Sequence, residues 1–200
     1  MEERQTFDYP NPQMGLVLKH FYEEHPEVVD RAGHEFFQYV QAVQERVPKE
    51  KIEQLFNEWF AYDFHLKTER SAIETYIFRN PDDLSAEELD LMKQANDHNF
   101  TGYFWIKDVD AKTQVLTLLE LSTEELFEVR DVTASQNVTG GAGLVAARLI
   151  QINGNWYFAS DPIWFMPMPL AGKDGLDFID VVRHHFGIIE PQGDSPPPAD

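Results

Sequence analysis

The apolar residues of this chain change their spacing near Phe100, from every third or fourth position to every second. That switch limits the fold more than any other feature. Upstream, Val29, Ala32, Phe36, Val40, Val43 and Val47 mark one face of a helix. Pro26 suits its first turn, where the missing N–H costs nothing, and Pro48 resets the chain for a helix carrying Ile52, Leu55, Phe56, Trp59 and Phe60. Ser71-Ala-Ile-Glu74 and Ser85-Ala-Glu-Glu88 are capping boxes, in which the serine hydroxyl accepts from a free backbone N–H and the glutamate reaches back. They open a short helix through Ile77, stopped before Pro81, and another through Leu89 and Met92. A helix around Met14 to Tyr22 brings the expected number to about five.

Downstream, Phe100 to Val109, Gln114 to Leu121, Leu126 to Val132, Leu144 to Ile152 and Trp156 to Ala159 are rich in aromatic and branched residues and read as strands. Asn153-Gly154, two residues suited to positive φ between apolar runs, is a hairpin signal. Ser122-Thr-Glu-Glu125 is a further capping-box pattern and competes with the strand that begins at Leu126. Five short strands so close together are expected to curl into a closed unit, because a flat sheet of that size leaves edges unpaired. Past Pro167 and Pro169, Leu176 to Phe186 reads as a last helix, with Asp174 as its N-cap and Gly187 as its stop.

The predicted fold is therefore α+β: an N-terminal helical part over 1–99, a small five-stranded antiparallel barrel-like unit (SH3-like or OB-like) over 100–170, a C-terminal helix over 171–189, and a disordered Pro-rich acidic tail over 190–200.

Charge and composition then exclude function classes. The formal net charge is −19, from 16 basic and 35 acidic side chains, and neither half of the chain gathers the Lys/Arg cluster that nucleic-acid phosphates require. An anionic membrane surface is disfavoured on the same ground. The remaining electrostatic expectation is a basic protein or peptide partner. With no cysteine in the chain, disulfides, thiolate catalysis and Cys-built zinc sites fall away. No apolar run reaches the roughly 18–20 residues of a membrane helix, and the first residues lack the basic start and apolar stretch of a secretory signal. A cytoplasmic monomer or weak dimer is expected, with no cofactor and no metal.

Motif-like patterns fail on detail. His34-Glu35-Phe-Phe-Gln38 begins like a zinc-binding HExxH helix, but glutamine stands where the second ligand belongs. Gly141-Ala-Gly143-Leu-Val-Ala146 fits a dinucleotide fingerprint in letters only, since a polar stretch precedes it and an apolar strand follows. His184 and His185 sit in the last turn of the C-terminal helix, where positive charge complements free carbonyls.

At Phe56-Asn-Glu-Trp59-Phe60-Ala-Tyr-Asp63-Phe64 the chain resembles uncharacterised bacterial proteins, similar to the region that precedes the SEC-C motif in some SEC-C-containing proteins. The resemblance runs on through Thr68 to Phe78 and takes in Phe127-Glu-Val-Arg-Asp131 and Gly143-Leu-Val-Ala-Ala-Arg148-Leu-Ile150. It implies an N-terminal helical part followed by a small β region. It brings no activity, and the zinc motif, which needs cysteines, does not transfer.

Two charges stand out against apolar surroundings. Asp63 continues the stripe of Phe56, Trp59 and Phe60, and Arg148 shares a strand face with Leu144, Ala146, Ile150 and Ile152. An unpaired charge drawn into a core costs several kcal/mol, so the two are expected to meet and clamp the helical part onto the β part. Trp59, Trp156 and Trp164 join Arg148 and Asp63 as candidate binding residues. The favoured function is a non-enzymatic interaction module for a protein or peptide. The alternative is a hydrolytic or acid–base enzyme with carboxylates and histidine in the cleft between the two parts.

Overall fold

The computed structural model describes residues 9–40, 49–138, 140 and 143–165. Five helices come first: α1 (Met14–Glu24), α2 (Pro26–Val40), α3 (Lys49–Tyr62), α4 (Ala72–Arg79) and α5 (Ala86–Asp97). Both capping boxes form. Ser71 Oγ accepts from the Glu74 amide at 3.3 Å while Glu74 accepts from the Ser71 amide at 2.8 Å, and Ser85 with Glu88 repeats the exchange at 3.2 and 2.9 Å. Each box satisfies two donors that a helix start leaves free. Pro26 is the first residue of α2, as its fixed φ favours.

Six strands follow: β1 (Asn99–Asp110), β2 (Val115–Glu120), β3 (Leu126–Arg130), β4 (Leu144–Ile152), β5 (Asn155–Phe158) and β6 (Ile163–Phe165), with a short helix α6 (Val132–Asn137) after β3. β1 pairs along one side with β2 and along the other with β4, β2 with β3, and β4 with β5, all antiparallel. A parallel bridge from Val129 to Trp156 joins β3 to β5 and closes a ring of hydrogen bonds through five strands. β6 hangs on the N-terminal half of β4, beside β5 on the C-terminal half. The five-antiparallel-strand expectation is thus corrected twice: the sheet is mixed, and it has a sixth strand. Pro162 precedes β6 without preventing its three residues from pairing with β4.

Two local expectations also change. Ser122–Glu125 opens no helix; it is a turn in which the buried Glu120 carboxylate accepts from the Ser122 and Thr123 amides at 2.7 and 2.6 Å. The strand expected through Val132 ends at Arg130 instead, because Asp131 caps α6 by accepting from the Ala134 amide at 2.6 Å. The Asn-Gly hairpin forms as read, with φ of 51° at Asn153 and 76° at Gly154. The C-terminal helix over Leu176–Phe186, its two histidines and the tail lie outside the described residues.

β4 explains how the halves join. Val145, Ala147 and Leu149 point into the ring with Phe104, Ile106, Leu116, Leu118 and Val129. Ile150 and Ile152 point the other way, into the helical cluster of Phe21, Phe56, Phe60, Tyr76 and Met92. A strand buried on both faces reads as a nearly continuous apolar run. The described residues thus form two apolar interiors, one shared by the helices with β4 and β5 and one inside the ring, and β4 is the wall between them.

Candidate functional site

Helix α3 has two working faces. Ile52, Phe56 and Phe60 enter the helical core. Lys51, Gln54, Glu58 and Tyr62, at spacings of three and four, form a second stripe, which meets the β unit. Lys51 Nζ donates to the Asp161 carboxylate and to the carbonyls of Asp161 and Pro162, the last two at 3.2 and 3.4 Å. Gln54 Nε2 donates to Ser160 Oγ and to the Asp161 carbonyl. Ser160 Oγ in turn donates to Glu58 Oε1. The connection between β5 and β6 is thereby fastened to one helix face.

Arg148 stands behind that ladder, 5 % exposed. Its Nη1 donates to Asp63 Oδ1 at 3.3 Å and to Asn99 Oδ1, and its Nη2 donates to Asp63 Oδ2. Two parallel contacts to one carboxylate are the strong, orienting form of this interaction. Arg148 Nε lies 3.9 Å from Glu58 Oε2, and the guanidinium sits over the Tyr62 ring at 4.8 Å. Burial pushes the Glu58 carboxyl above its ordinary value, an effect that the Ser160 hydroxyl and Arg148 only partly oppose. Burial likewise raises the hydroxyls of Tyr62 and Tyr9. The expected meeting of Asp63 and Arg148 is present, and Glu58 adds a second, more buried carboxylate to it.

In front of the ladder is a cavity of about 580 Å³ between α6 and the β5–β6 segment, in the range of ligand sites. Tyr9, Asp131, Asn137, Phe158, Asp161 and Trp164 are among its lining residues. Tyr9 straps the N-terminal segment to β5: its hydroxyl donates to the Phe158 carbonyl at 2.6 Å and its ring meets Tyr157 edge-on at 5.3 Å. A second cavity, of about 500 Å³, lies between α2 and α3 and is lined by Val29, His34, Phe37 and Phe56.

The five residues singled out from sequence do not make one site. Trp59 belongs to the helical aromatic cluster, 5.4 Å from Phe36 and 5.3 Å from Phe64. Trp156 belongs to the ring, 5.3 Å from Phe127 and 5.7 Å from Phe100. Trp164 packs on Phe158 and lines the larger cavity. Sequence reasoning missed Tyr9, Glu58 and Ser160. The signal for Glu58 was the polar stripe on α3, which a single-faced view of that helix takes as solvated.

Among the described residues no three His, Asp or Glu side chains gather as metal ligands, and no helix is long and apolar enough to cross a membrane. Among the described residues no histidine contacts Arg148 or lines the larger cavity. No family model, curated protein or solved structure matches the chain.

Proposed function

We propose that this protein is a non-enzymatic interaction module that recognises a protein or peptide segment at the cavity between α6 and β6. The observation that carries this reading is the position of β6. It pairs with β4 alone among the described strands, and Trp164 on it lines the cavity. A sheet edge beside an apolar pocket suits an extended segment, with backbone pairing for affinity and a pocket for specificity. The α3 ladder supports this by holding the cavity wall at Ser160–Pro162 in one geometry, which lowers the cost of ordering on binding. The comparison with small SH3-like or OB-like barrels is a fold-level analogy that points the same way. A cytoplasmic monomer or weak dimer is part of the same proposal. The resemblance to the SEC-C-associated region brings no activity that bears on it.

The acid–base alternative has less support. Glu58 and Asp63 face a shared arginine, which favours their structural pairing over proton transfer, and among the described residues no histidine stands at the junction to act as the acid–base partner.

Amide chemical shifts recorded while a mixed set of short peptides is added test the proposal. Saturable changes centred on Thr133, Asn137, Ile163 and Trp164 are expected. Turnover of model ester, peptide or phosphoester substrates that is lost in Glu58→Gln would overturn it.

A further inference from the structure

The cavity has a chemical bias that narrows its occupant. Among the described residues its lining includes two carboxylates, Asp131 and Asp161, three aromatic rings, and no Lys or Arg. The two acids are not equivalent. Asp161 is already held by Lys51 from the α3 side. Asp131 uses Oδ1 to cap α6, and among the described residues it has no ion-pair partner. A half-buried carboxylate beside Tyr9, Phe158 and Trp164 offers a charge for a cationic tip and ring faces for an aliphatic stem. The surrounding surface of a chain with net charge −19 attracts cations and repels acidic competitors during encounter.

We infer that the segment received at β6 is a basic peptide in extended conformation, whose Arg or Lys side chain enters the cavity and meets Asp131 while its backbone runs along the β6 edge. Alternate side chains of a paired strand point to one face, so one residue can fill the cavity while its neighbours point away. The inference rests on the interaction reading above and adds the partner's chemistry to it.

The test labels the four tryptophans with 5-fluorotryptophan and follows the Trp164 fluorine resonance, identified by its loss in Trp164→Phe. Two probes are compared: a short β-forming peptide with a central arginine, and the same peptide with citrulline, which keeps the shape and removes the charge. Saturable movement of Trp164 is expected with arginine, and about tenfold weaker binding with citrulline. Asp131→Asn, which keeps a good helix cap, is expected to erase the preference. Equal binding of both peptides overturns the charge inference and leaves the interaction reading standing. No movement with either peptide overturns both. Movement that follows protein concentration without any peptide identifies a second copy as the occupant and overturns the basic-peptide inference.

Discussion

The helical part and the β unit meet along two seams of opposite character. At one, α5 lies against β4, and Met92 and Ala95 share a cluster with Ile150 and Ile152. At the other, α3 meets the β5–β6 segment through Lys51, Gln54, Glu58 and Ser160, with Arg148 behind them. Apolar burial stabilises in proportion to area and is indifferent to direction. Hydrogen bonds and ion pairs add less net free energy but fix orientation. The first seam holds the halves together; the second sets how they sit, and the candidate cavity lies on the second.

Substitutions separate the two roles. Arg148→Met should have the largest effect, about 3 kcal/mol or more in urea unfolding, because it leaves the buried Glu58 carboxylate without its cation. Adding Glu58→Gln to it should recover part of that loss, since the stranded charge is then gone. A double variant no more stable than Arg148→Met would mean that Glu58 is not part of the seam's balance.

Ile150→Ala tests the apolar seam. A loss of about 2–4 kcal/mol is expected from lost burial and the cavity left behind, with the Trp164 environment unchanged. Gly154→Ala acts on neither seam and serves as the reference. A φ of 76° is strained for alanine, and about 1 kcal/mol should be lost with no change at Arg148.

The smallest effects are pH-dependent and run in opposite directions in the two regions. The native Glu58 carboxyl holds its proton more tightly than the ordinary 4.5 implies. Its contribution is therefore full below that value and is lost as pH rises through the native one. Glu58→Gln should flatten that part of the stability profile. His20, between α1 and α4, holds its proton less tightly than the ordinary 6.5 implies, chiefly through burial, with His25 and Arg79 adding to it. Its contribution is present above 6.5 and lost as pH falls toward the native value, and His20→Gln should remove that loss in thermal melts.

The helices were legible because their signals are local: caps at Ser71 and Ser85, a proline at the head of α2, apolar stripes at helical spacing. The hairpin at Asn153-Gly154 was legible for the same reason. The parallel bridge between Val129 and Trp156 was not, since it depends on how a strand returns after the α6 excursion rather than on residues near either partner. Helix α6 escaped because Val-Thr-Ala-Ser-Gln-Asn has no apolar period, and its start is set by one cap from Asp131. Arg148 and Asp63 could be paired because each interrupts an apolar face. Glu58 and Ser160 interrupt nothing, and their partnership is visible only once α3 and the β5–β6 segment lie together.

β4 has no wet side. With neighbours above, below and along both edges, its amides have no route to deuterated solvent short of opening the ring or lifting the helices away. Leu149 and Ile150 should be among the last positions to take up deuterium, and their rate should follow the cooperative opening of the whole molecule. The Ser160 and Asp161 amides, on a segment held by the side chains of α3 rather than by strand pairing, should exchange sooner, so the two seams should separate in time as well as in character.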